Sequence, residues 1–152
     1  MNKNYFFLLT LFALPFFLSN AVAEKKKKKI LVFSKTAGFR HSSIKAGKEA
    51  LLKLGKENNF AVDTTEDAAY FNDKTLNSYA AVVFLNTTGD VLNGEQQAAF
   101  ERYIRSGKGY AGIHAATDTE YDWPWFCKLA GANFGSHPKQ QKAILHVTDA
   151  TH

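Results

Sequence analysis

The sequence predicts an α/β domain, a three-layer sandwich with a mostly parallel central sheet. Short continuous apolar runs, Ile30 to Phe33, Ala80 to Leu85 and Tyr110 to Ile113, have the pattern of strands buried on both faces. Segments with helical periodicity lie between them, and each run empties into a loop of small and hydrogen-bonding residues.

Ile30 to Phe33 leads into Ser34-Lys35-Thr36-Ala37-Gly38-Phe39-Arg40-His41, after which Ser42 or Ser43 is placed to cap a helix with an inner stripe of Ile44, Gly47, Leu51 and Leu54. A second strand begins at Phe60 to Val62 and runs toward Glu66. The segment from Ala68 to Ser78 is weakly patterned and allows no more than a helical turn. Ala80 to Leu85 has the composition of the central strand and ends in Asn86-Thr87-Thr88-Gly89-Asp90. Asn93 followed by Gln96 is a capping-box signature for a helix with an Ala99, Phe100, Tyr103, Ile104 face that stops at Gly107. The strand Tyr110 to Ile113 follows, then the polar turn His114 to Asp118, then a helix opening near Pro124, where proline fits a first turn. Lys142 to Val147 partly alternates and is expected to form an edge strand.

Residues 1–23 read as an export signal: Lys3, an apolar stretch from Tyr5 to Leu18, and Ala21-Val22-Ala23 as a small-residue cleavage site. The apolar stretch is short for a membrane span, so the expected location is periplasmic or secreted, with no stable span after cleavage. Residues 24–29 form a lysine-rich junction, and residues 30–152 are enough for one compact domain. The formal charge of +5 resides largely in the run Lys25 to Lys29, which leaves the globular part near neutral and offers no distributed basic face for nucleic acid. Cys127 is the single cysteine, so packing and not a disulfide framework must hold the fold. No P-loop and no GxGxxG precedes a helix, and no zinc-type cysteine pair is present.

Loops that leave the carboxyl ends of parallel strands converge on one edge of the sheet, where ligands bind in this architecture. Here those loops carry Thr36 to His41, Asn86 to Asp90 and His114 to Asp118, with His137 approaching from a fourth segment. Imidazoles suit proton transfer near neutral pH, or metal ligation, while Arg40 offers a planar fork for an anionic or carbonyl oxygen. A divalent metal held by His41, His114 and His137 is conceivable, although no closely spaced histidine pair supports it. Asn86, Thr87, Thr88 and Asp90 either read sugar hydroxyls or make a β-turn around Gly89. Trp123, Trp125 and Tyr121 either stack on a pyranose ring or belong to the core.

The blocks SKTAGFRHSSI, FLNTTGDVLN, FERYIRSGKGYAGIHAATDTEYDWPWF and GSHPKQQ, in this order, closely resemble the ThuA-like (trehalose utilisation) domain. That domain is a branch of the flavodoxin-like, class I glutamine-amidotransferase-like superfamily. The resemblance covers residues 30–152, and ThuA-like domains usually continue further, so it implies a domain incomplete at its C-terminus with an exposed sheet edge able to pair in a homodimer. It also implies carbohydrate metabolism, of trehalose or 3-keto-sugar type, with a small carbohydrate as the partner. Amidotransferases have a Gly-Ile-Cys-type elbow after this strand, where this sequence has Gly112-Ile113-His114, so glutaminase activity is not expected. The matched blocks supply the candidate site: His114, His41 and Asp118 for catalysis, and Arg40, Asn86, Thr87, Gly89, Trp123 and His137 for substrate binding, with no resident metal. The alternatives are a carbohydrate-binding module of the same fold without turnover, and an inactive truncated product.

Overall fold

A computed structural model describes residues 27–151; the expected export signal lies outside them. Four strands form an all-parallel sheet in the order β2-β1-β3-β4. They are β1 (Lys29–Phe33), β2 (Ala61–Thr65), β3 (Ala81–Leu85) and β4 (Gly109–Ile113). The helices between them are α1 (Ile44–Glu57), the short α2 (Asp73–Leu76) and α3 (Gly94–Arg105), and α4 (Pro124–Ala130) follows β4. Single 3-10 turns at Ala68–Tyr70 and His114–Thr117 complete the chain. The α/β architecture thus matches the expectation, and among the described residues no helix is long and apolar enough to cross a membrane.

The side chains of alternate strand residues divide the core in two. Leu31, Phe33, Val82 and Phe84 face one side and form the larger cluster with Leu76, Phe100, Tyr103 and Phe126. Its centre is aromatic: Phe84 lies 5.4 Å from Phe33, 5.4 Å from Phe100 and 5.3 Å from Phe126, ring centre to ring centre. Val32, Val83 and Leu85 face the other side, against Leu51 and Val62. One helix, α1, covers that smaller face.

Close packing of α1 depends on two glycines. A Cβ on Gly47 would stand 2.8 Å from Leu85 Cδ1, and one on Gly55 would stand 2.6 Å from Val62 Cγ2 and 2.8 Å from the Phe60 carbonyl oxygen. The inner stripe therefore runs Ile44, Gly47, Leu51, Gly55, and the expected Leu54 lies 45 % exposed. Gly55 carries no hydrophobic signal, yet like Gly47 it lies where α1 approaches its neighbours too closely for a Cβ.

The capping box forms as expected: Gln96 N donates to Asn93 Oδ1 at 3.0 Å and Asn93 N donates to Gln96 Oε1 at 2.9 Å. Ser43 occupies the N-cap of α1 without capping it, because its Oγ accepts from Asn86 Nδ2 at 3.1 Å instead. Lys29 opens β1, with its ammonium 2.8 Å from Asp63 and over the Tyr79 ring. The edge strand expected at Lys142 to Val147 does not form. Ile144, Leu145 and Val147 are exposed there, and a strand without a neighbour has no ladder to stabilise it. The free edge of β4, with Ala111 to Ile113 exposed, is not its partner.

Candidate functional site

The site is built where β3 and β4 end. Leu85 and Ile113 are register partners, and the next residue of each strand, Asn86 and His114, has a positive φ, 52° and 55°. Both strands therefore turn sharply at the same level. Asparagine and histidine are among the few side chains that accept this left-handed region, which costs an ordinary residue about 1–2 kcal/mol. Beyond His114 the chain folds back tightly: a Cβ on Gly112 would lie 2.8 Å from Tyr110 Oη and 3.1 Å from Ala116 Cβ. Ala115 and Ala116 are buried beneath this turn, which explains why small residues follow the histidine.

Sheet pairing continues into the loops. Thr36 bridges to Thr88, and Gly89 bridges to Thr119, so the exits of β1, β3 and β4 are joined as their strands are. Ala37 N and Gly38 N both donate to the Thr88 carbonyl, at 2.7 and 3.2 Å, and Gly89 N donates to the Asp118 carbonyl at 2.7 Å. Gly89, at φ 70°, is required by the close approach: a Cβ would sit 3.1 Å from Gly38 N. Thr87 and Thr119 share a buried hydroxyl–hydroxyl bond of 2.8 Å.

These loops enclose a cavity of about 420 Å3, lined by Phe39, His41, His114, Ala115, Thr117, Asp118, Phe134 and His137. Within it the His41 and His114 rings meet edge to face, 4.6 Å between centres and 88° between planes. His137 reaches the wall on a segment fixed by Phe134 N donating to the Thr117 carbonyl at 2.9 Å. Tyr121 Oη lies 2.7 Å from both Asp118 Oδ1 and the Phe134 carbonyl oxygen. The Asp118 carboxylate holds that phenol proton and pushes the Tyr121 pKa up to about 12.

The structure thus brings together His41, His114 with Asp118, and His137 from three segments. Among the described residues no three His, Cys, Asp or Glu side chains are grouped to hold a metal ion. The other candidates lie around the cavity and not in its wall. Arg40 makes a bidentate pair with Glu66, both contacts 2.9 Å. Thr87 and Gly89 are engaged at the loop junction, and Asn86 donates through Nδ2 to Ser43 Oγ while its buried Oδ1 has no hydrogen-bond partner among the described residues. Trp123 packs in the core aromatics, its ring 5.6 Å from Phe126 and 5.1 Å from Trp125.

One residue of the site region escapes a sequence reading. Glu120 is buried, and its Oε1 accepts from Val91 N and Leu92 N at 2.8 and 2.7 Å, while Oε2 accepts from Gln97 Nε2 at 2.6 Å. The carboxylate thereby anchors the β4–α4 loop to the start of α3. Only an acidic residue amid small and aromatic neighbours signals it in the sequence.

The sequence profile described as ThuA, trehalose utilisation, matches residues 29–152. The chain belongs to the ThuA family. A solved ThuA-like protein from Bacteroides uniformis superposes on it with a TM-score of 0.56 and 25% identity, over 71% of this chain and 46% of that one. This ThuA chain therefore spans a little under half the length of that protein. No curated protein matches it. The four-stranded parallel sheet with its helices is an α/β fold consistent with that flavodoxin-like ThuA-like neighbour.

Proposed function

We propose that this chain is an exported protein of carbohydrate metabolism that takes a small sugar of trehalose or 3-keto-sugar type into the cavity between His41, His114, Asp118 and His137. The observation that carries the reading is the pair of perpendicular imidazoles, with His114 fixed at the left-handed exit of β4 and His41 against it at 4.6 Å. The cavity, about 420 Å3, is within the range of small-molecule sites. Membership of a family described as trehalose utilisation supports the choice of a carbohydrate.

The chemistry follows from the groups. One neutral imidazole accepts a proton from a sugar hydroxyl or from the carbon beside a carbonyl. A protonated neighbour returns one to the carbonyl or departing oxygen, so the pair ends with the same number of protons. Asp118 adds a carboxylate to the same wall, its Oδ1 accepting from Tyr121 Oη. Glutamine hydrolysis is not part of this reading, because His114 stands where the superfamily resemblance places the cysteine nucleophile.

The test expresses the full sequence, export signal included. The protein recovered from the periplasm should begin at Glu24 and should convert at least one of trehalose, methyl α-glucoside or their 3-keto forms, followed by chromatography. His114→Asn, which keeps a residue at home in the left-handed region, should retain the Tm within about 2 °C and lose turnover by about 100-fold or more. Sugar-dependent stabilisation without turnover would make the chain a binding module, and the absence of both stabilisation and turnover would refute the carbohydrate reading.

A further inference from the structure

Phe39 is 69 % exposed, more than any other aromatic among the exposed large hydrophobic residues described. A single exposed apolar side chain is ordinary. This one differs in being held. Its own carbonyl accepts from Thr88 Oγ1 at 2.9 Å, and the two residues before it donate to the Thr88 carbonyl. Lys35, lower on the same loop, donates through Nζ to the Val91 carbonyl at 3.0 Å. The loop is thus fixed to the β3 exit, and the Phe39 ring stands in the cavity wall, its centre 4.8 Å from that of His41. Backbone bonds that hold an aromatic ring out of the core leave its face open to a ligand, and ordering it in advance removes an entropic cost from binding.

We infer that Phe39 is the platform on which the sugar ring lies, and that Thr88 is the positioning residue that holds it there. The inference rests on the carbohydrate reading above and deepens it. A pyranose ring has one face of C–H groups and a rim of hydroxyls. Phe39 meets the face, while His41, His114, Thr117, Asp118 and His137 line the same cavity and meet the rim. The tryptophans, which a sequence reading nominates for this stacking, are withheld from it by their packing around Phe100 and Phe126. The Asn86–Gly89 loop then acts on the sugar indirectly, by holding the platform.

The experiment measures the apparent Kd of trehalose and of methyl 3-keto-α-glucoside from ligand-dependent Tm, on the full chain. Phe39→Ala should weaken binding about tenfold, Phe39→Trp should bind within about threefold of wild type, and Tyr70→Ala, a partly exposed aromatic elsewhere, should change nothing. Thr88→Val should weaken binding about threefold, Thr88→Ser should restore it, and Thr88→Val should add nothing in the Phe39→Ala background. Wild-type affinity in Phe39→Ala overturns the platform. Additive loss in the double variant overturns the positioning role. Absence of any sugar effect on wild type refutes the carbohydrate reading itself, and this inference with it.

Discussion

Glu120 shows how much a single buried side chain decides at this site. Its carboxylate has left water for two backbone N–H groups and one amide, and its φ of 58° places it in the region that side chains rarely adopt. Each buried N–H left without an acceptor costs about 1–3 kcal/mol, so Glu120→Ala, which orphans those of Val91 and Leu92, should destabilise the chain by about 3 kcal/mol or more. Glu120→Gln keeps one acceptor oxygen for both and should lose less. Urea unfolding decides it, and an alanine variant within about 0.5 kcal/mol of wild type would remove Glu120 from the frame of the site. None of these three partners is near Glu120 in sequence, which is why no local pattern announces it. His114 was legible for the opposite reason: a short apolar run, then small residues, marks a strand exit without long-range information. Arg40 and Trp123 show the limit, since residue type named what they can do and only the fold reveals that Glu66 and the aromatic core already engage them.

Between elements, Glu66 joins the exit of β2 to the β1–α1 loop through Arg40 and to α1 through Lys48, whose Nζ donates at 2.7 Å. The Arg40 hydrogen bonds, then that of Lys48, pull the Glu66 pKa down to about 2 from its usual 4.5. A carboxylate depressed on folding contributes stability that is complete above its unfolded value and is lost as protons are forced on below it. Stability should therefore fall between about pH 4.5 and pH 2 through this group, and Glu66→Gln should be less stable than wild type at pH 7 with a shallower loss across that window. The groups are largely exposed, so added salt should shrink the difference. Thermal melts from pH 7 to pH 2 check both statements, and an unchanged acid limb in Glu66→Gln would assign the acid sensitivity elsewhere. Helix α3 was fully legible because its capping box is local chemistry. The stripe of α1 was legible through Ile44, Gly47 and Leu51 and missed at its end, where Gly55 and not Leu54 faces inward, because that glycine carries no hydrophobic signal.

Across the molecule, strand pairing should set the order in which the backbone opens. β1 and β3 are bonded on both sides and lie between the two core clusters, whereas β2 and β4 are bonded on one side. Amide exchange should therefore be slowest in Leu31 to Phe33 and Val82 to Leu85, intermediate in β2 and β4, and fastest in residues 135–151, through which no helix or strand runs. The fold class was legible because β1 and β3, largely buried on both faces, leave a continuous apolar signature that alternating helices confirm; Tyr110 to Ile113, read the same way, is instead an edge strand exposed from Ala111 to Ile113. Lys142 to Val147, expected as an edge strand on its partial alternation, lies exposed and unpaired by any described strand, since strand composition records a capacity to pair and cannot supply the neighbour. Exchange distinguishes capacity from pairing. Loss of protection across Ala143 to Val147 within the first seconds is the expected result. Protection there at the level of β2, appearing as protein concentration rises, would mean that a second copy has supplied the missing strand partner, and would make the apolar segment an interface.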